Sequence, residues 1–168
     1  MSQFQDLPDE IVVKVLSHLK VKDLLYCGQV SKRIRAVSHD KSLYQKIDLA
    51  GKKVQTIFLE AIINKGCKDL NLTGAQLEGS DFNLNEESQL RCLNLDFCAA
   101  SVTNLEILTS SCVKLQKISM RRLTKLFLSS NMIENICNQN GQTLQVLNLK
   151  KLYKRWQKLV SRSSPVNY

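Results

Sequence analysis

The sequence predicts an α/β fold in three consecutive parts. Short helices are expected over residues 1–46, parallel strands backed by helices or loops over 47–150, and a basic helix and tail over 151–168. Three observations carry this. From Ile47 onward, pairs of aliphatic residues flanking one polar residue recur at nearly even spacing. Between several pairs, apolar residues return every three or four positions, the period of one helix face. Before Ile47, the chain opens instead with the acid and proline pattern of a helix start.

That start is Asp6-Leu7-Pro8-Asp9-Glu10. Asp6 is expected to cap the helix, Pro8 occupies an early position where no N–H is needed, and two acids face the positive helix end. Ile11, Val15, Leu16 and Leu19 continue it with one apolar face. Leu24 and Leu25 follow Asp23 in a second short helix, and residues 30–37 read as a third. Asp40 is expected to cap a last turn carrying Leu43 and Tyr44. So small a bundle cannot enclose all its aliphatic faces, which predicts burial against a partner or against the strands that follow.

The strand pairs are Ile47-Asp48-Leu49, Leu70-Asn71-Leu72, Leu93-Asn94-Leu95, Ile118-Ser119-Met120 and Leu147-Asn148-Leu149, spaced 23, 23, 25 and 29 residues apart. Leu90, Leu115 and Leu144 stand three positions before the last three pairs, completing an L-x-x-L-x-L pattern. In a strand, alternate side chains face one way, so the paired residues turn to a common core and the residue between them to the opposite, concave side. Pattern and period are those of a leucine-rich repeat, which predicts a short solenoid of about five strands. Residues 54–64, 102–113 and 130–139 show helical spacing, whereas 79–88 do not and predict a loop. The stretch from Leu123 to Leu128 lengthens the fourth unit.

Residues 150–162 place Leu152, Trp156, Leu159 and Val160 on one side and six Lys or Arg on the other. This basic amphipathic helix is expected to close the far end of the leucine core. It also explains the charge. The net charge is +9, and residues 150–168 carry six of it with no acid, leaving 18 Lys and Arg against 15 Asp and Glu elsewhere. The same helix would suit nucleic acid or an anionic membrane, the alternative reading of the tail.

Hydrophobic residues make up 43% of the chain and charged residues 23%, which excludes wholesale disorder. Asp6, Asp9 and Glu10 stand where a secretory signal needs its apolar stretch, and no uncharged apolar run approaches the ~20 residues that cross a bilayer. The expected location is the cytoplasm and/or nucleus, with the six cysteines reduced. Cys98 fills the Asn/Cys slot of its repeat, and Cys67, Cys112 and Cys137 close their helices, as small buried thiols do. No two cysteines have zinc-ligand spacing, and His18 and His39 lie far from any partner motif, so no metal is expected. No phosphate-binding glycine loop or nucleophile elbow occurs, so neither a cofactor nor a catalytic residue is nominated.

The first fifty residues also carry a family resemblance. Leu7-Pro8-Asp9-Glu10-Ile11, Val15-Leu16-x-x-Leu19, Leu24-Leu25, Val30-Ser31-Lys32-Arg33 and Ser42-Leu43-Tyr44 resemble an F-box, a trihelical docking module. The sequence departs from the family at Ser31, where Cys is usual, and at Ile34 and Tyr44, where Trp is usual. With repeats following, the chain is similar to the F-box/leucine-rich-repeat substrate receptors of SCF ubiquitin ligases.

The resemblance implies that Leu7, Pro8, Glu10, Ile11, Leu16, Leu19, Leu24, Leu25, Val30, Ile34, Leu43 and Tyr44 bind the SCF adaptor, S-phase kinase-associated protein 1. Through the adaptor the chain would reach cullin and RING subunits. Strand alternation nominates Asp48, Asn71, Asn94, Ser119 and Asn148, with their neighbours Asp96 and Arg121, for contact with a target protein. The target would be marked for proteasomal degradation by other subunits. A leucine-rich-repeat scaffold with no ligase link is the alternative.

Overall fold

The computed structural model describes residues 6–84, 87–123 and 130–149. Helix α1 spans Asp9–Leu16, α2 Val21–Cys27 and α3 Lys32–Ser38, followed by a 3-10 turn over Lys41–Tyr44. Pro8, not Asp6, occupies the N-cap of α1, and no side chain caps that end. The reason is steric: a cap at Asp6 would make Leu7 helical, and the residue before a proline is driven out of the helical region. The expected cap at Asp40 is present, its carboxylate accepting from Ser42 N at 2.8 Å; α3 begins at Lys32 rather than Val30, after a cap at Ser31 whose Oγ accepts from Ile34 N at 3.1 Å. Val12, Leu16, Leu24, Val37 and Tyr44 form the bundle's own core.

Seven three-residue strands follow: β1 (Lys46–Asp48), β2 (Lys53–Gln55), β3 (Asp69–Asn71), β4 (Gln76–Glu78), β5 (Cys92–Asn94), β6 (Lys117–Ser119) and β7 (Val146–Asn148). Strands β1, β3, β5, β6 and β7 form one parallel sheet in that order. Its register aligns Ile47, Leu70, Leu93, Ile118 and Leu147 in a single row. The first four are buried, as are Leu49, Leu72, Leu95 and Met120 just beyond them. Helices α4 (Thr56–Asn64), α5 (Val102–Ser110) and α6 (Ser130–Asn140) cover this side. They add Leu59, Ile62, Leu105, Leu108, Met132 and Ile136 to one continuous core.

Parallel strands leave every entry and exit with backbone groups to satisfy. Here the solution repeats with the sequence period. The carbonyls of Gln45, Lys68, Arg91 and Gln116 each accept two N–H groups from the next unit, at 2.7–3.0 Å. Four positions after each central aliphatic residue, the chain turns through the left-handed region at Gly51 (φ 66°), Gly74 (φ 63°), Phe97 (φ 57°) and Arg122 (φ 54°). Glycine suits that turn. Phe97 and Arg122 occupy it at about 1–2 kcal/mol each.

Two expectations need correction. Val54 does not begin a helix: it lies in β2, which pairs with β4 in a second, two-stranded parallel sheet. A three-residue strand alternating exposed, buried, exposed gives too few positions to separate period two from the helical period. Helix α5 ends at Ser110 rather than at residue 113, and Cys112 pairs in an isolated parallel bridge with Ser88. Residues 79–84 form the expected loop. The expected helix over 150–162 and the stretch 124–128 lie outside the described residues.

The helical bundle and the sheet share one joint. Only Gln45 separates the 3-10 turn from β1. Val21 packs against both cores, and the Lys65 ammonium at the end of α4 sits 4.6 Å over the Tyr44 ring.

Candidate functional site

Two surfaces bring nominated residues together. The first is on the helices. Ile11, Val15 and Leu19 lie four residues apart along α1 and its extension and are 45%, 48% and 40% exposed. That spacing stacks them in one stripe. Tyr26 near the end of α2 and Val30 just after it are more exposed still. Pro8 and Glu10 are exposed, while Leu7, Leu25, Ile34 and Leu43 are half-buried.

Three nominated residues do not belong to this surface. Leu16, Leu24 and Tyr44 are enclosed in the bundle core, where Tyr44 donates its hydroxyl to the Ser38 carbonyl at 2.8 Å. Helical spacing marks residues that share a face, and in a small bundle part of that face points inward. Val15 and Tyr26 complete the surface although neither is in the nominated set. Val15 was legible from its spacing to Ile11, but nothing in the sequence distinguishes Tyr26. Asp9 shapes the surface indirectly: its carboxylate pairs with Arg33 at 2.7 Å, and Arg33 also donates to the Leu7 carbonyl. That links the start of α1 to α3.

The second surface is the open face of the five-stranded sheet. Each strand presents its first and third residues there. The third positions are the nominated row: Asp48, Asn71, Asn94, Ser119 and Asn148. The first positions form a second row that was not nominated: Lys46, Asp69, Cys92, Lys117 and Val146. Both rows line one shallow groove. The same alternation that identified the first row predicts the second, once the strands are known to begin one residue before the aliphatic pair.

Part of the nominated row is occupied internally. Asn71 donates from Nδ2 to the Asp48 carboxylate at 3.0 Å and accepts from Thr73 N and Oγ1. Asn94 accepts from Asp96 N at 3.0 Å. Cys92 lies half-buried at the middle of the face, and burial followed by the neighbouring Asp69 raises its thiol pKa against a smaller opposing pull from Lys117 and Arg91.

Asp96 is a correction. It is completely enclosed and cannot meet a target. Its carboxylate accepts from Ser119 Oγ and from Arg121 N, Nε and Nη2, all at 2.6–2.7 Å. Burial alone would raise its pKa, but these hydrogen bonds and the Arg121 charge outweigh it and hold the carboxyl below the usual range. Alternation misled because the chain leaves the extended conformation just after Leu95, on its way into the left-handed turn at Phe97. Arg121 remains exposed at the rim, its side chain 45% accessible.

Residues 4–50 match the family model described as F-box-like. That stretch is an F-box-like domain. The match covers the described helices α1 to α3, the 3-10 turn and β1. F-box domains bind S-phase kinase-associated protein 1 in SCF complexes, and F-box proteins are in general non-catalytic substrate adaptors. The F-box-like domain therefore carries the apolar stripe of α1 as its outward face.

Proposed function

We propose that this chain is a non-catalytic substrate receptor of an SCF-type ubiquitin ligase, and that its strand array is a leucine-rich-repeat solenoid whose concave face holds the target. The observation that carries the reading is the exposed apolar stripe of Ile11, Val15 and Leu19, with Tyr26 and Val30 also exposed, on an F-box-like domain. Leu7, Pro8, Glu10, Leu25, Ile34 and Leu43 border that stripe and would complete the adaptor contact. The junction from Ser42 to Lys52 resembles that of S-phase kinase-associated protein 2, where the F-box also runs directly into the first repeat.

In this role the chain supplies proximity. The adaptor, cullin and RING subunits would bring a charged conjugating enzyme to a target held on the two rows of the strand face. A tethered reactant experiences a high effective concentration, which accelerates transfer without any residue of this chain touching the thioester. The reading places the protein in the cytoplasm and/or nucleus.

Affinity purification with the adaptor tests it. The wild-type chain is expected to retain adaptor and cullin, and Ile11→Glu with Val15→Glu is expected to lose both without a change in melting temperature. Undiminished adaptor retention by the double variant would overturn the docking surface. Absence of adaptor from the wild-type chain would favour a repeat scaffold without a ligase link.

A further inference from the structure

A second concavity lies where the helical bundle meets the first strands; none of the nominated target residues lines it, and Leu25 and Tyr26, which the adaptor reading also uses, form part of its α2 wall. It is a cleft of about 650 Å³ between α2 and the segment from Leu49 to Phe58. That size falls within the roughly 300–1,000 Å³ range of ligand-holding clefts. Its floor is apolar: Leu49 and Val54 are buried at the base, and Val21 and Phe58 are half-buried walls. Its rim is basic. Lys20 and Lys22 border it from α2 and its approach, Lys52 from the turn after β1 and Lys53 from the start of β2, and Asp23 is the single acid lining it. Glu78 answers Lys53 only at 3.4 Å between exposed side chains.

We propose that this cleft docks an acidic linear segment of the target protein, inserting an apolar side chain between Val21 and Phe58 while its carboxylates face the four lysines. The identity of the segment as target rests on the receptor reading; the chemistry of the cleft does not. Low-dielectric walls with charge of one sign concentrate the field at the opening, which favours an anionic occupant over a neutral one. The chain's own C-terminal segment is excluded, because residues 150–168 hold six basic residues and no acid. A bilayer surface is excluded by shape: the apolar floor lies recessed between two elements, where an extended peptide enters and a lipid surface does not. Lys52 also donates to the carbonyl of Asp48 at 3.4 Å, which holds its stem along the turn after β1.

The test uses the full chain without the adaptor and a fluorescein-labelled hexapeptide of sequence Glu-Asp-Glu-Leu-Glu-Asp. Binding is expected, weakening with added salt and by about tenfold in Lys22→Glu with Lys52→Glu. Hexaglutamate is expected to bind distinctly more weakly, since it lacks the apolar anchor. As a second variant, Lys52→Gln with Lys53→Gln changes only exposed side chains and is expected to weaken binding in the same direction. Adaptor co-purification, scored separately, reports on the receptor reading and is expected to be unchanged in both variants. The proposal fails if the wild-type chain does not bind the peptide, if hexaglutamate binds as tightly, or if the lysine variants bind it undiminished.

Discussion

Asp96 and Arg121 form a buried-to-exposed clamp between the turns that follow β5 and β6. The carboxylate is sealed beneath the turn after β5, and Arg121 from the turn after β6 donates to it through its backbone N–H, Nε and Nη2. With Ser119 Oγ as a further donor, one side chain ties two successive units together at the edge of the open face. The cluster satisfies a buried charge that would otherwise be costly, and it fixes the direction in which Arg121 projects.

Asp96→Asn keeps the shape of the side chain but removes its charge and one acceptor oxygen. The expected cost is about 1–3 kcal/mol, since buried donors from the next turn lose their partner. The sign with pH follows from the lowered carboxyl. Its stabilising contribution is complete above the unfolded value of ~3.9 and is lost as pH falls through the lower folded value. Denaturant melts at neutral pH and under acid conditions check both: the variant is expected to start lower and to lose less on acidification than the wild type.

The buried thiols give the opposite dependence. Burial pushes Cys67 up to about 12 and Cys98 up to about 11, and it raises Cys112 as well. A thiol whose folded value is raised favours the native state below its unfolded value of ~8.5, and that advantage fades as pH rises toward the folded value. Stability is therefore expected to decline above about pH 8.5. Alkylation under native conditions is expected to label Cys27, Cys92 and Cys137 well before these three, with mass spectrometry as the readout.

Tyr44→Phe isolates a single hydrogen bond. The ring stays in the bundle core, but the Ser38 carbonyl loses its 2.8 Å donor. A loss of about 1 kcal/mol in unfolding free energy is expected. Adaptor retention should be unchanged, because the hydroxyl faces inward. A selective loss of adaptor with unaltered stability would place Tyr44 at the docking surface instead.

Gly74→Ala tests the turn. A methyl group there would meet nothing within 4 Å, so any cost comes from the backbone at φ 63°. The expected destabilisation is about 1–2 kcal/mol, measured by thermal or denaturant melts.

What was legible in the sequence follows from how each signal arises. The row of Ile47, Leu70, Leu93 and Ile118 repeats with the period of the fold, so recurrence compensates for strands too short to be recognised singly. The cap at Asp40 was legible because a cap acts within three residues of itself. The buried role of Asp96 depends on Ser119 and Arg121, more than twenty residues away, and no local pattern encodes that. Pairing of β2 with β4 was hidden for the same reason. Buried asparagines complete the set. Asn104 accepts from Phe82 N, and Asn140 accepts from Leu115 N while donating to the Cys112 carbonyl. Each resembles a surface residue in sequence and serves as an internal bracket in the fold.

The one-residue joint at Gln45 has a mechanical consequence. Its carbonyl is already committed to Lys68 and Asp69, and the Tyr44 ring beside it lies under Lys65. No slack segment is left to swivel, so the bundle and the first strands turn as one lever. In the proposed receptor role, whatever grips the α1 stripe would set the azimuth of the strand groove, and with it the sector of a bound protein turned toward the rest of the assembly. Inserting a few glycines after Gln45 would preserve both grips while scattering that aim.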